Sequence, residues 1–120
     1  MKSRILIIVA AITVAASSSA NAGFFTYQEW LKYPPQFRTA YIAGAFDTLT
    51  AIANSEDDLA RINHQNACIK NAQMTLNQLA DNVIEFSKNK PEIQTGSVAE
   101  ALARYLYAAC GLPPQSRRPQ

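Results

Sequence analysis

This sequence predicts an all-α fold, a small single-domain bundle of about four helices stapled by one disulfide, and three observations predict it. Apolar residues recur at three- and four-residue steps over long uninterrupted stretches. Side-chain oxygens suited to cap a helix stand three residues before Glu or Gln at several places. Finally, the β-branched residues are scattered and never alternate with polar ones over the four to eight positions a strand requires. The length of 120 residues leaves room for one domain, and a content of 48% apolar and 17% charged residues excludes a disordered or acidic solvating chain.

Residues 1–22 read as a secretory signal peptide. Lys2 and Arg4 form a basic start, Ile5 to Ala16 is apolar except for Thr13, and Ala20-Asn21-Ala22 offers small residues for cleavage after Ala22. The apolar run is shorter than the roughly 20 residues of a spanning helix, so a periplasmic protein with no membrane insertion after cleavage is expected. The helical domain then occupies residues 23–112 and a flexible tail residues 113–120. Of 11 Lys+Arg, two lie in the leader, which leaves nine basic residues against all 9 Asp+Glu. That balance, without a basic stripe, argues against nucleic acid or an anionic membrane as partner. Arg117 and Arg118, in a proline-flanked tail, read as a solvated end.

Thr26-Tyr27-Gln28-Glu29 is a capping box, and a short helix through Lys32 follows; Tyr33 precedes Pro34-Pro35 and must leave the helical region. From Gln36 to about Asn54 the residues Phe37, Tyr41, Ile42, Ala45, Phe46, Leu49, Ile52 and Ala53 mark the strongest helix, with Gly44 inside it as a packing notch for another helix. Asn54 to Asn66 is the most polar stretch, with room for one short helix capped by Ser55 and carboxylates at 56–58 favourably placed at its positive end. The ligand alternation and the glycine of a calcium loop are absent there. Thr75 to Gln78 is a second capping box, and Leu76, Leu79, Ala80, Val83 and Phe86 carry a stripe to about Asn89, closed by Pro91. After a turn at Thr95-Gly96, Ser97 to Glu100 opens a last helix with Val98, Leu102, Tyr105, Leu106 and Ala109 on its apolar face. Gly111 ends that helix and Pro113-Pro114 block its continuation. Tyr105 and Tyr107 cannot both face the core.

Two cysteines, Cys68 and Cys110, in an exported chain are expected to pair, and closing that loop stabilises the fold by roughly 3–4 kcal/mol in the chain-entropy model. His64 is the sole histidine, so a metal site with two histidines is impossible, and its polar setting reads as surface. No nucleophile elbow, P-loop, HExxH or CxxC is present. These observations point away from an enzyme and from a cofactor, and toward a binding protein. In that reading Asn54–Asn66 is a tethered polar loop that reaches into a partner's cleft, with Asp57, Arg61 and His64 as contact residues.

One longer pattern runs from Ala40-Tyr41-Ile42-Ala43-Gly44-Ala45-Phe46-Asp47 through Cys68-Ile69, Met74-Thr75-Leu76-Asn77-Gln78-Leu79-Ala80-Asp81-Asn82-Val83 and Lys90-Pro91-Glu92 to Ala101-Leu102 and Cys110. Over about residues 37–111 it resembles the Rap/Tai immunity proteins of type VI secretion. The resemblance implies a periplasmic helical fold with Cys68 and Cys110 bridged. It also implies a secreted peptidoglycan amidase effector as partner, inhibited by direct occlusion. The chain departs from the family pattern at Lys70, where the family often has Pro, and in the polar segment Asn54–Asn66, where the family often has a short link. An acid-stress chaperone of the HdeA type, also small, helical and singly disulfide-bonded, is the alternative expectation. A homodimer is compatible with either.

Overall fold

Helix starts lie where the capping residues place them. The structure, a computed structural model, describes residues 25–114; the leader expected over 1–22 and the end of the tail lie outside the described residues. Thr26 Oγ1 accepts from Glu29 N at 3.2 Å while Glu29 Oε2 accepts from Thr26 N at 3.1 Å, which opens α1, Tyr27–Leu31. Pro35 is the first residue of α2, Pro35–Ala51, where its missing N–H is no loss. Ser55 accepts from Asp58 N at 3.1 Å to start α3, Glu56–Asn71. The reciprocal pair of Thr75 and Gln78 starts α4, Leu76–Ser87. The final helix, α6, spans Val98–Cys110 and begins with Ser97 accepting from Glu100 N at 3.1 Å. Glu100 does not return that bond; its carboxylate accepts from Arg104 Nη2 at 2.9 Å instead. Gly111, at φ 69°, lets its N–H turn back to Tyr107 O and ends α6.

Several expectations need correction. There are six helices among the described residues where about four were expected, because α1 and a further helix, α5, Pro91–Gln94, are single turns. Pro91 does not simply close α4, which ends at Ser87, short of Asn89; it is the first residue of α5. This turn forms because Gln94 Nε2 donates to Ser87 O at 2.9 Å and Lys88 O at 2.7 Å, satisfying carbonyls that α4 leaves open. Helix α2 stops at Ala51 and not near Asn54, since Ile52 is extended and 70% exposed, with nothing to pack against. Among the described residues the β-structure amounts to an isolated bridge, Thr26 with Ser97.

The buried cluster is built on α4 and α6. Leu79 and Val83 face Val98, Leu102 and Leu106 across these two helices, with spacings of four that put each set on one stripe. Leu76 and Ala109, expected on those stripes, are exposed, and Ala101 is buried in their stead. Tyr27 and Trp30 of α1, Ile42 of α2 and Ile93 of α5 close the cluster. No residue of α3 belongs to it: Ile62 and Gln65 are buried apart from the cluster, and Ile69 packs against its edge.

Arg38 ties α1 to α2. Its Nη1 donates to Leu31 O at 3.3 Å and Tyr33 O at 3.1 Å, the open carbonyls at the end of α1, and Trp30 Nε1 donates to Arg38 O at 3.2 Å. Arg38 Nε is buried without a partner, which offsets part of that gain. Arg38→Met is therefore expected to cost about 1–2 kcal/mol net, measured as a lower urea midpoint at unchanged slope.

Candidate functional site

The polar residues of α3 make up the site the sequence proposed, and the helix is held by local bonds before tertiary ones. Glu56, Asp57 and Asp58 occupy its first turn, where the unsatisfied amides favour negative charge. Asp58 accepts from Arg61 Nη2 at 2.8 Å, from Arg61 Nε at 3.2 Å and from Asn54 N at 3.2 Å. Arg61 Nη1 in turn donates to the buried Gln65 Oε1 at 3.1 Å. The bonds from Arg61, and then that from Asn54, hold the Asp58 carboxyl below its ordinary range.

These facts overturn the picture of a tethered loop. Residues 56–66 are the first part of a continuous sixteen-residue helix that runs on through Cys68. Arg61 is committed to Asp58 and Gln65 rather than extended toward a partner. His64 is half-buried, not a surface residue: its Nε2 lies 2.7 Å from Cys110 O, and since a carbonyl only accepts, Nε2 carries the proton. Asp57, Arg61 and His64 do share one side of α3, at steps of four and three, but of the three only Asp57 is exposed.

The bridge Cys68–Cys110 lies beside that contact, with Cα atoms 5.8 Å apart and a sequence separation of 42. His64 and Cys68 thus fasten the middle and the end of α3 to the end of α6. What remains is an outer face carrying Leu59, Ala60, Asn63, Asn66 and Lys70, with Leu59 50% exposed; Asp57 lies on the other side of the helix.

The depressed carboxyls give the fold an acid limb with a defined sign. Asp58 and Glu29 have folded pKa values below their unfolded ones; Glu29 is lowered by its bonds to the backbone and then the side chain of Thr26. Their stabilisation is present above the ordinary carboxylate pKa of about 4 and is lost as pH falls through the lower folded value. Asp58→Asn is expected to melt less steeply with acid than wild type below about pH 4, followed by thermal melts across that range.

A second surface was not anticipated. Phe37, Ala40, Gly44, Asp47, Thr48 and Ala51 face solvent along α2, opposite buried Ile42, and Ile52 follows at its end. Between this helix and Ala99 of α6 runs a groove of about 430 Å³ lined by Ala40, Tyr41, Gly44, Ala45, Thr48 and Leu49. Gly44 is not the notch expected for a neighbouring helix of the same chain, because a Cβ added there meets nothing within 4 Å. At the N-terminal end Tyr33 stacks on Phe37 at 4.3 Å between ring centroids, and Phe25 meets Tyr33, Phe37 and Tyr41 edge-on at 5.1, 5.6 and 5.3 Å. The signal for this surface was in the sequence, since α2 carries apolar residues on both sides where a one-faced helix carries them on one.

Among the described residues no group of three or more His, Cys, Asp or Glu could hold a metal ion, and no helix is long and apolar enough to cross a membrane. No protein-family model, curated protein or solved structure matches this chain.

Proposed function

We propose that the protein is a periplasmic binding module that inhibits a secreted peptidoglycan amidase by occluding its active site with the outer face of α3, as the resemblance to the Rap/Tai immunity proteins implies. The observation that carries this reading is the placement of α3. A helix outside the main buried cluster, locked by a disulfide and by His64, presents Leu59, Asn63 and Asn66 on a surface that loses little freedom on docking. Rigidity of that kind suits an inhibitor better than a loop does, because the ordering cost is already met within the free protein.

The test is hydrolysis of purified sacculi by type VI peptidoglycan amidase effectors, with and without the protein. Stoichiometric loss of product is expected with wild type, and a loss of inhibition at least tenfold with Leu59→Glu at unchanged melting temperature. Absence of inhibition across the effectors sinks the reading. The exposed apolar face of α2 favours a second reading, an acid-stress chaperone. Suppression of client aggregation at low pH without amidase inhibition would select it.

A further inference from the structure

We infer that Met74 is an oxidation site whose sulfoxide oxygen is received by the amide of Asn82 and the hydroxyl of Tyr105. Two helices aim donors at one sulfur. Asn82 Nδ2, on α4, donates to Met74 Sδ at 3.7 Å and to Tyr105 Oη at 3.2 Å, and the Tyr105 hydroxyl, on α6, donates to the same sulfur at 3.9 Å. A thioether is a weak acceptor, so half-buried donors gain little from it, whereas the sulfoxide is polar and carries an oxygen that accepts. The three distances set where that oxygen fits. With the donors 3.7 and 3.9 Å from Sδ and 3.2 Å from each other, an oxygen about 1.5 Å from the sulfur, tilted out of the plane of the three atoms, comes within about 3 Å of both, an ordinary hydrogen-bond length.

The chain holds Met74 at this place under strain. Gln73 takes φ 52°, the left-handed region that residues other than glycine occupy at a cost. In that conformation Gln73 N donates to Lys70 O at 3.0 Å and Met74 N to Ile69 O at 3.2 Å, the pair of bonds that closes α3. Met74 is thereby set against the edge of the core while still half-exposed, and the ring of Phe86, edge-on at 5.8 Å, orients Tyr105. Little competes with it for an oxidant. The other methionine is Met1, both remaining sulfurs are in the Cys68–Cys110 bridge, and Trp30 is fully buried.

The oxidant is a hydroperoxide, hydrogen peroxide in the simplest case. A lone pair of Sδ attacks one peroxide oxygen, and the S–O bond forms as the O–O bond breaks. The proton on the attacked oxygen passes to the departing one, which leaves as water; sulfur gives up two electrons and the peroxide takes them. At an ordinary packed methionine the new oxygen disrupts the contacts around it. Here it meets Asn82 and Tyr105, so the turn that follows α3 is tied to α4 and α6 through a strong acceptor in place of a weak one. The inference rests on neither reading of the function given above.

Mass spectrometry of the protein, digested after peroxide treatment, is expected to place one oxygen on Met74. The two stereospecific sulfoxide reductases, applied to the digest, are expected to find one epimer in at least about fivefold excess, since the donors lie to one side of the sulfur. Thermal melts before and after treatment give a second readout. Oxidation is expected to leave the midpoint of wild type unchanged or raised and to lower it in Tyr105→Phe and in Asn82→Leu. The difference between wild type and either variant is expected to be at least about 4 °C, the effect of one hydrogen bond in a domain of this size. Each protein is compared with its own reduced form, so a variant of lower starting stability still answers. Met74→Leu, which has no sulfur, is expected not to respond. Four results overturn the proposal: no oxygen on Met74 under conditions that convert it in the unfolded chain, equal amounts of the two epimers, a difference below that figure in either variant, or a peroxide effect that persists in Met74→Leu.

Discussion

Cys68→Ala, or reduction of the bridge, lowers the unfolding free energy by about 2–5 kcal/mol and frees α3 ahead of the other helices. The magnitude follows from reopening a loop with a sequence separation of 42. The order follows from the core: the buried cluster spans α1, α2, α4, α5 and α6 and includes no α3 residue. With the bridge open, α3 keeps Ile62, Gln65, the edge contact of Ile69 and the bond from His64. Amide hydrogen exchange measures this directly. Protection from Ile62 to Lys70 is expected to collapse while amides from Val83 to Phe86 and from Leu102 to Leu106 keep most of theirs. Equal loss in all three helices would show that α3 is integral to the cooperative unit.

Trp30→Ala is the most damaging single change expected outside the bridge. Trp30 is fully buried and is the sole tryptophan, and truncating a buried Trp costs about 3–5 kcal/mol. A domain of this size has roughly 5–13 kcal/mol in all, so the variant is expected to populate unfolded chain at room temperature. Trp30→Phe separates the two contributions: most of the ring remains, and Arg38 O loses its donor, for about 1–3 kcal/mol. Combined with Arg38→Met, that variant is expected to lose less than the sum of the singles, since both act on the same α1–α2 contact. Denaturant melts by circular dichroism of the four proteins measure the coupling.

What could be read from the sequence was what is local. Thr26 with Glu29, Thr75 with Gln78, and Ser55 and Ser97 with the amides three residues on are short-range bonds, and all four helix starts fell where those residues stand. The pairing of Cys68 with Cys110 also followed, because two cysteines have one connectivity. Apolar periodicity underrates α3, which rests on Ser55, on acids in the first turn and on Arg61 between Asp58 and Gln65. Those i, i+3 and i, i+4 contacts were legible, and only their sum makes a long helix. The bond of His64 to Cys110 O was not legible at all, since a backbone carbonyl has no identity in the sequence. Gly44 shows the converse limit: a glycine inside a helix reads as a packing notch, yet in the fold a Cβ added there meets nothing within 4 Å, because α4 and α6 pack on the other side of α2.

The paired caps Thr26 and Ser97 set an order on structure formation. Tyr27 N donates to Gly96 O at 3.0 Å and Val98 N to Phe25 O at 3.2 Å, so α1 is fixed by the residues that begin α6. A helix of five residues has no persistence in isolation, because nucleation consumes more order than its few bonds return. During synthesis α1 must therefore wait, unstructured, until the residues that open α6 have followed it. Any fragment of this chain that stops short of Val98 is expected to lack α1 altogether, and with it the burial of Trp30, however much of α2 to α5 it contains.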